Sequence, residues 1–147
     1  MSLTHEVELI RQVPILSNLA PAAQKMLCFA SERMCFEAGQ VLFRQGDKAD
    51  AAYIVIDGSI EIVVWTASGS LLVNTVEQFG VIGETGMFGD LPRSATAIAK
   101  TRVDVLCVPK DVFCQTIHGN PEAALRLTCM LAERLASTTA KLSLAVA

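Results

Sequence analysis

The middle of the chain alternates short apolar segments with turn-forming residues, from Met34 to about Val108. Glycine, aspartate and serine separate the segments, as at Asp57-Gly58 and in the stretch Thr66–Ser70. Short strands broken by regularly spaced turns are typical of a β-sandwich or barrel. Asp57-Gly58 by itself predicts the two-residue turn of a β-hairpin. The sequence therefore predicts a mainly β core over about residues 34–108.

Helical patterns precede this β core. Glu6–Val13 has apolar residues close to helical spacing, and Pro14 ends or bends that helix. Gln24–Arg33 predicts a second helix, with a proline start signal just before it. We expect its buried face to consist of four apolar residues: Met26, Leu27, Phe29 and Ala30. The two helices predict a cap over about residues 4–33.

Two further helices are predicted over about residues 109–143. Asp111–His118 is short and ends before Gly119. Asn120-Pro121-Glu122 then supplies a capping residue, a first-turn proline and an acid at the positive end of a longer helix. One narrow seam steps along that helix by four and three residues: Leu131, Leu135, Thr138, Leu142 and Ala145. This seam could pack on the β core, cover a ligand or contact a second subunit, and the sequence leaves these three alternatives open.

Composition limits the function classes that fit. A chain of 147 residues with 52% hydrophobic residues can bury one core, so we expect a single domain over residues 1–147. The net charge is −3 and the basic residues are scattered, so no nucleic acid contact is expected from this chain itself. We find no apolar run of membrane-spanning length and no signal peptide. The five cysteines lack paired metal-type spacing, so we expect reduced thiols and a cytoplasmic protein: Cys28, Cys35, Cys107, Cys114 and Cys129.

Enzymatic chemistry has little support. The two histidines are His5, near one end of the chain, and His118, at the end of a predicted helix. No histidine cluster of the kind that metal-dependent β-roll enzymes need can be assembled from them. No nucleophile–base pair or phosphate-binding P-loop can be recognised either. We therefore expect neither an enzyme nor a metal site.

The stretch Val81–Ala97 combines glycines, an acid and an arginine around one predicted turn. Gly83 and Gly86 let the backbone approach a ligand, and a helical turn after Gly83 would direct free N–H groups at an anion. Arg93 can donate to a phosphate through a forked guanidinium, and an ionised Glu84 can accept from sugar hydroxyls. Together these residues predict a nucleotide-like ligand with an ionised phosphate and a free ribose hydroxyl.

The runs Gly83-Glu84-Thr85-Gly86-Met87-Phe88 and Pro92-Arg93-Ser94-Ala95-Thr96-Ala97 resemble the phosphate-binding cassette of cyclic nucleotide-binding domains. This family includes the bacterial catabolite activator, the regulatory subunits of cyclic-AMP-dependent kinase and cyclic-nucleotide-gated channels. The resemblance extends upstream through Phe36–Asp47 and Tyr53–Ile62. It implies an eight-stranded jelly-roll-type β-roll with N-terminal helices and a C-terminal helix pair. It also implies a regulatory sensor that binds cyclic AMP (cAMP) or cyclic GMP (cGMP) and needs no further cofactor.

The resemblance also implies residue roles. Arg93 would pair with the exocyclic phosphate oxygens, and Glu84 would accept from the ribose 2′-hydroxyl. Thr85 departs from the family, which usually has a bulky apolar residue there. The implied ligand-binding set is Gly83, Glu84, Thr85, Gly86, Arg93, Ser94 and Ala95. Because burying Arg93 without its anion is costly, we expect an empty site to be hydrated or mobile, and the unliganded fold to depend little on Arg93.

Several readings of the whole chain remain open. A degenerate β-roll that serves as an interaction module without nucleotide is the alternative to a sensor. In a sensor, ligand would reposition the C-terminal helix, which would also contact a second copy or an effector domain. The chain would be a stand-alone sensor or a regulatory part of a larger protein. By resemblance to the catabolite activator, the residues that cap the base are expected further along the helix than this chain reaches.

Overall fold

The computed structural model describes residues 3–84, 87 and 90–146. In this part of the chain, two four-stranded antiparallel sheets are flanked by helices at both ends of the sequence. The helices are α1 (Leu3–Ile10), α2 (Pro21–Ala30), α3 (Lys110–His118) and α4 (Pro121–Val146). The strands are β1 (Glu32–Phe36), β2 (Val41–Phe43), β3 (Ala51–Asp57), β4 (Ile60–Thr66), β5 (Gly69–Val76), β6 (Val81–Ile82), β7 (Thr96–Ala99) and β8 (Val103–Pro109).

The strand order confirms the predicted β-roll with helical caps. One sheet has the order β1-β8-β3-β6 and the other the order β2-β7-β4-β5. Most neighbours in sequence therefore lie in different sheets, and the chain passes repeatedly between them. The exception is the long β4–β5 hairpin, whose turn lies in the predicted stretch Thr66–Ser70. A core of inward-facing residues from both sheets separates the two layers.

The predicted hairpin at Asp57-Gly58 is wrong. β3 pairs with β6 and β8, whereas β4 pairs with β5 and β7, so the turn carries the chain from one sheet to the other. Gly58 has φ +96°, and a Cβ there would lie 2.3 Å from the carbonyl oxygen of Arg102. A left-handed glycine bends the chain in the same way in a hairpin and in a crossover. The dipeptide therefore predicts the bend but not the partner strand.

The buried face of α2 also differs from the prediction. Leu27 is buried as expected, but Met26 and Phe29 are 67% and 79% exposed. Gln24 occupies the buried position instead, and its Oε1 accepts a hydrogen bond from Arg11 Nε at 3.2 Å. A polar side chain can be buried at little cost when its polar atoms are paired. The helix ends at Ala30, earlier than the sequence indicated, because the next residues begin strand β1.

The N-terminal helices and α3 cover the outer side of the sheet that contains β3 and β8. Their apolar residues form a second core, in which Ile10, Leu27 and Phe113 are almost fully buried. Helix α4 contacts the edge strand β5 of the other sheet and lines a cavity beside residues of the core between the sheets. Within residues 3–84, 87 and 90–146, no helix is both long and apolar enough to cross a membrane.

Candidate functional site

A partly open cavity of about 230 Å³ is lined by the β2–β7–β4–β5 sheet, the segment after β6 and helix α4. Its apolar wall comes from β2, β4 and β5, with Phe43, Ile62 and Val64 among the contributors. Polar groups line it from the segment after β6, from the approach to β7 and from α4. A concave apolar site with a few convergent polar groups is the usual form of a small-molecule pocket.

Most of the predicted ligand-binding residues meet at this cavity. Those that line it are Gly83, Glu84, Arg93, Ser94 and Ala95. The other two, Thr85 and Gly86, lie outside the described residues, as does most of the predicted helical turn that follows Gly83. The structure thus brings together two segments that are separated by several residues in the sequence.

Gly83 is positioned where a side chain would not fit. Its φ is +83°, in the left-handed region that favours glycine. A Cβ would lie 2.5 Å from Arg93 Nη1 and 3.2 Å from the carbonyl oxygen of Ala51. The missing side chain leaves the Gly83 carbonyl open to a bond from the arginine. Gly83 therefore shapes the site as well as the turn.

Arg93 lies beneath the cavity and is only 4% exposed. Its Nη1 donates to the carbonyl of Gly83 at 2.8 Å, and its Nη2 donates to the carbonyl of Ala51 at 2.6 Å. The guanidinium carbon lies 4.1 Å from the ring centroid of Phe43, within cation–π range. An Asp50 carboxylate oxygen lies 3.8 Å from Nη2.

These contacts hold the Arg93 side chain inside the roll, and the expectation that an empty site is hydrated or mobile stays a prediction. Burial lowers the pKa of Arg93, and the nearby Tyr53 and Asp50 oppose that shift. A guanidinium remains protonated in proteins, so Arg93 keeps its full positive charge in this buried position. Its Nε is buried and bonded to no acceptor in the described part of the chain. The arginine is therefore paired through two of its nitrogens while the third keeps an unused donor.

Glu84 is the other buried charge of the site, with 1% exposure. Its Oε1 accepts a short hydrogen bond from Arg134 Nη1, which also forms an ion pair with it. Its Oε2 is buried and has no hydrogen-bond partner among the described residues. A buried carboxylate oxygen without a donor is costly unless a ligand supplies one. Glu84 can therefore accept from a hydroxyl without giving up Arg134.

Helix α4 contributes residues that the sequence did not single out as ligand-binding. Arg134 and Thr138 both line the cavity, one helical turn apart. The signal that could have found them is a polar row at positions 134, 138 and 141, on a helix whose other residues are largely apolar. The expectation that the residues capping the base lie further along the helix than this chain reaches stays a prediction.

The predicted seam on α4 divides between two faces. Leu131 packs against the core and Thr138 lines the cavity, whereas Leu135 and Leu142 are 69% and 38% exposed. The side chain of Ala145 lies outside the described part of the chain. The helix therefore turns a polar row toward the roll and leaves leucines facing outward in its last turns.

Lys141 provides a second link between α4 and the roll. Its Nζ donates to the carbonyl of Val73 in β5 at 2.6 Å. Val73 is the extra residue of a β-bulge, because Ile62 pairs with Asn74 and the next β4 residue pairs with Leu72. A bulge leaves ladder groups unpaired, and the lysine satisfies one of them. Two cations on α4 thus hold the helix against the cavity wall.

The chemistry of the site suits binding rather than bond cleavage. A guanidinium, a carboxylate with one unpaired oxygen and an apolar wall can hold an anion, a hydroxyl and a flat apolar group. In the described ranges, no group of three or more His, Cys, Asp or Glu side chains could hold a metal ion.

Comparison with known proteins agrees with this geometry. The model of the family "Cyclic nucleotide-binding domain" matches residues 33–120, which is more than half of the chain. The cAMP-dependent protein kinase regulatory subunit of Yarrowia lipolytica is 36% identical over 104 residues, covering 71% of this chain and 27% of that protein. The cAMP-activated global transcriptional regulator CRP of Escherichia coli O6:H1 is 32% identical over 108 residues, covering 72% of this chain and 51% of CRP.

A solved structure extends the likeness to most of the fold. The sensor domain of the transcriptional regulator DNR from Pseudomonas aeruginosa superposes with a TM-score of 0.80 at 25% identity, covering 90% of each chain. The chain spans about half the length of CRP and about a quarter of the kinase subunit. On the family match over residues 33–120 and the shared β-roll, this chain belongs to the cyclic nucleotide-binding domain family.

Proposed function

We propose that this chain is a regulatory sensor that reversibly binds a cyclic purine mononucleotide, cAMP or cGMP, without a further cofactor and without catalysis. The observation that carries the proposal is the convergence of Glu84 and Arg93 on one cavity. Glu84 has an unpaired buried oxygen, and Arg93 has an unused N–H donor. A sugar hydroxyl and a phosphate are the two groups that would satisfy them.

In this proposal the phosphate lies near Arg93 and Ser94, and the ribose lies against Glu84. Gly83, Thr85 and Gly86 would contribute backbone groups around the sugar and phosphate, with Ala95 close to the phosphate. The Arg93 guanidinium would exchange at least one backbone carbonyl for a phosphate oxygen, since an anion pairs more strongly with it than a neutral carbonyl does. Binding therefore replaces an internal arrangement of the arginine with a liganded one.

We further propose that the nucleotide repositions α4. Arg134 and Thr138 of this helix line the cavity, and Arg134 holds Glu84. The volume of about 230 Å³ is below the roughly 300–1,000 Å³ of most small-molecule sites. A nucleotide that enlarges or completes the pocket would bind one position of α4 better than another. That difference in affinity is what shifts a helix between two positions.

The test is calorimetric titration of wild type and Glu84→Gln with cAMP, cGMP and 2′-deoxy-cAMP. Wild type should bind at least one cyclic nucleotide, and Glu84→Gln should weaken binding by ~1–2 kcal/mol through loss of a charge-assisted hydrogen bond. The loss should be much smaller for the deoxy ligand, which lacks the hydroxyl. Glu37→Gln is the matched control, because Glu37 is an exposed glutamate outside the cavity. Absence of heat with either nucleotide at millimolar concentration would contradict the sensor.

A degenerate β-roll without nucleotide is the second candidate. The observation that favours it is the inward position of Arg93, which is already paired with two carbonyls and stacked on Phe43. Such a side chain stabilises an empty roll. If neither nucleotide binds and the Arg93→Ala protein loses stability, the arginine has a structural role and this second candidate is the better one.

The outward leucines of α4 support a proposal about partners. Leu125, Leu135 and Leu144 are each more than 60% exposed, which suits a contact with a second copy of the chain or an effector domain. Sedimentation of wild type and Leu135→Lys would separate the two, since only self-association changes in the purified protein.

We also propose a cytoplasmic location, because the cysteines at positions 28, 35, 107, 114 and 129 are free thiols.

A further inference from the structure

We propose that Phe43 is a positioning residue, whose ring holds the Arg93 guanidinium in place for the phosphate of the nucleotide. This inference rests on the proposed function, in which the phosphate pairs with Arg93. Phe43 belongs to β2, outside the ligand-binding set that the sequence predicted. It lines the cavity, and its ring centroid lies 4.1 Å from the guanidinium carbon of Arg93. We infer that Phe43 affects the ligand through the arginine.

A β-bulge turns Phe43 toward the inside of the roll. Val41 pairs with Ile98 of β7 and Phe43 pairs with Ala97, so two steps along β2 match one step along β7. A bulge of this kind re-aims a side chain that regular alternation would send elsewhere. Ala97 is fully buried in the core between the sheets, so its partner Phe43 also faces that core. The small alanine side chain leaves space there for an aromatic ring.

The main chain ties Arg93 to the same segment as the ring. The Arg93 N–H donates to the carbonyl of Asp47 at 2.7 Å, and the Arg93 carbonyl accepts from the N–H of Gly46 at 2.8 Å. Both partners lie in the turn that follows β2, which ends at Phe43. The stacking of guanidinium on ring is therefore set by the local fold.

Tyr53 supports the ring of Phe43 from the opposite sheet. The two ring centroids lie 5.9 Å apart, and the angle between the ring planes is 27°. The Tyr53 centroid also lies 6.0 Å from the guanidinium carbon of Arg93, at the outer limit of cation–π attraction. Tyr53 is buried in β3, whereas Phe43 comes from β2. Two rings from two sheets thus restrict the positions that this cation can take.

Stacking leaves the edge of the guanidinium available to a phosphate. Nη1 and Nη2 each donate to one carbonyl, and each carries a second hydrogen in the same plane. The ring covers a face of the guanidinium and forms no bond with that edge. Arg93 can therefore exchange a carbonyl for a phosphate oxygen without leaving the ring.

The ring should strengthen phosphate binding for two reasons. Cation–π attraction offsets part of the cost of keeping a charge buried, so the guanidinium stays beside the cavity. A side chain that is already held in position also loses less freedom when the ligand binds, and this preorganisation favours the complex.

The experiment is calorimetric titration of wild type, Phe43→Leu and Phe43→Tyr with cAMP and cGMP. Phe43→Leu keeps an apolar side chain but removes the ring, so it should weaken binding by roughly 3–30-fold, the range of one cation–π contact. Phe43→Tyr keeps the ring and should bind within about 2-fold of wild type. Phe36→Leu is the matched control, because Phe36 packs against the same core but does not line the cavity. It should also bind within about 2-fold of wild type.

The same substitution in an Arg93→Lys protein tests whether Phe43 acts through the arginine. An ammonium is compact, strongly hydrated and without a planar face to stack. Phe43→Leu should therefore change the affinity of the Arg93→Lys protein by no more than about 2-fold. An equal loss in both backgrounds would mean that Phe43 contacts the nucleotide directly or only supports the fold, and this would overturn the inference.

Nuclear magnetic resonance tests the stack in wild type alone. The Arg93 Nε–H signal, assigned by its absence in Arg93→Lys, should carry a ring-current shift that persists when nucleotide is added and disappears in Phe43→Leu. A signal without this shift, or a shift lost on binding, would overturn the inference. So would Phe43→Leu binding as tightly as wild type, or Phe43→Tyr binding as weakly as Phe43→Leu, and these outcomes leave the proposed function intact. A wild type that binds neither nucleotide would overturn the proposed function and this inference with it.

Discussion

Replacing Arg93 by alanine should destabilise the protein even when no ligand is present. The guanidinium donates to the carbonyl of Ala51 in a buried region and to the carbonyl of Gly83 in a partly buried one. Truncation leaves both carbonyls without these donors, and an unsatisfied buried group costs ~1–3 kcal/mol. The loss is partly offset, because a desolvated cation with an unpaired Nε also disappears. We expect a net loss of ~1–3 kcal/mol in the free energy of unfolding.

The assay is urea unfolding of nucleotide-free protein, followed by circular dichroism. For a domain of this size the expected loss corresponds to a fall in melting temperature of roughly 3–10 °C. Arg93→Lys should give an intermediate loss, since a single ammonium keeps the charge but loses the forked geometry. Arg102→Ala is the control, because Arg102 is an arginine whose side chain is 71% exposed. Its replacement should change stability by no more than about 0.5 kcal/mol.

A second measurement on the same proteins separates stability from binding. Arg93→Ala should weaken cyclic nucleotide binding by ~2–5 kcal/mol, because the phosphate would be left without its charged partner. An unliganded Arg93→Ala protein as stable as wild type, or more stable, would contradict the inward position of the arginine. The hydrated or mobile site expected from the sequence would then be correct.

Other perturbations test the remaining contacts. Arg134→Ala removes the partner of buried Glu84 and should cost ~1–3 kcal/mol in urea unfolding; no loss would contradict the ion pair. Cyclic nucleotide should change hydrogen exchange across 131–142, and unchanged exchange would argue against α4 as the moving element. Burial, with a smaller contribution from Glu6, raises the pKa of Cys28 to about 11. Above pH ~8.5 the Cys28 thiol ionises in the unfolded chain but stays protonated in the native state. The free energy of unfolding should therefore fall as the pH rises from ~8.5 toward 11. Cys28→Ala should flatten that fall, and an identical pH profile would refute the assignment.

The β-roll was largely predictable because its signals are local. Glycines at left-handed positions, such as Gly58 and Gly69, mark places where the chain must bend whatever lies around them. Alternation and short apolar runs then identify the segments between the bends as strands. These signals predicted a β core over about residues 34–108, and the family resemblance supplied the eight strands, but neither assigned the partner of each strand. Asp57-Gly58 shows the difference, since it bends the chain into the other sheet rather than into a hairpin.

The buried faces of the helices were less predictable, because burial depends on what each face packs against in the folded protein. Gln24 is buried in α2 since Arg11 pairs with its amide, and Phe29 is exposed although it is aromatic. On α4, the leucine at position 135 faces outward and the arginine at position 134 faces inward. In both helices a paired polar side chain displaced an apolar one from the buried face. Hydrophobic periodicity does not detect such pairs.

The sequence by itself determined the family, the bends of the roll and the pair of residues, Glu84 and Arg93, that define the candidate site. These follow from short motifs whose spacing is set by local backbone geometry. Only the tertiary structure decided what each of the two charges contacts. Arg134 reaches Glu84 from 50 residues away, and Arg93 turns to carbonyls in two different segments. A buried charge must find a partner wherever the fold supplies one, and that partner is set by distances in space that no local pattern contains.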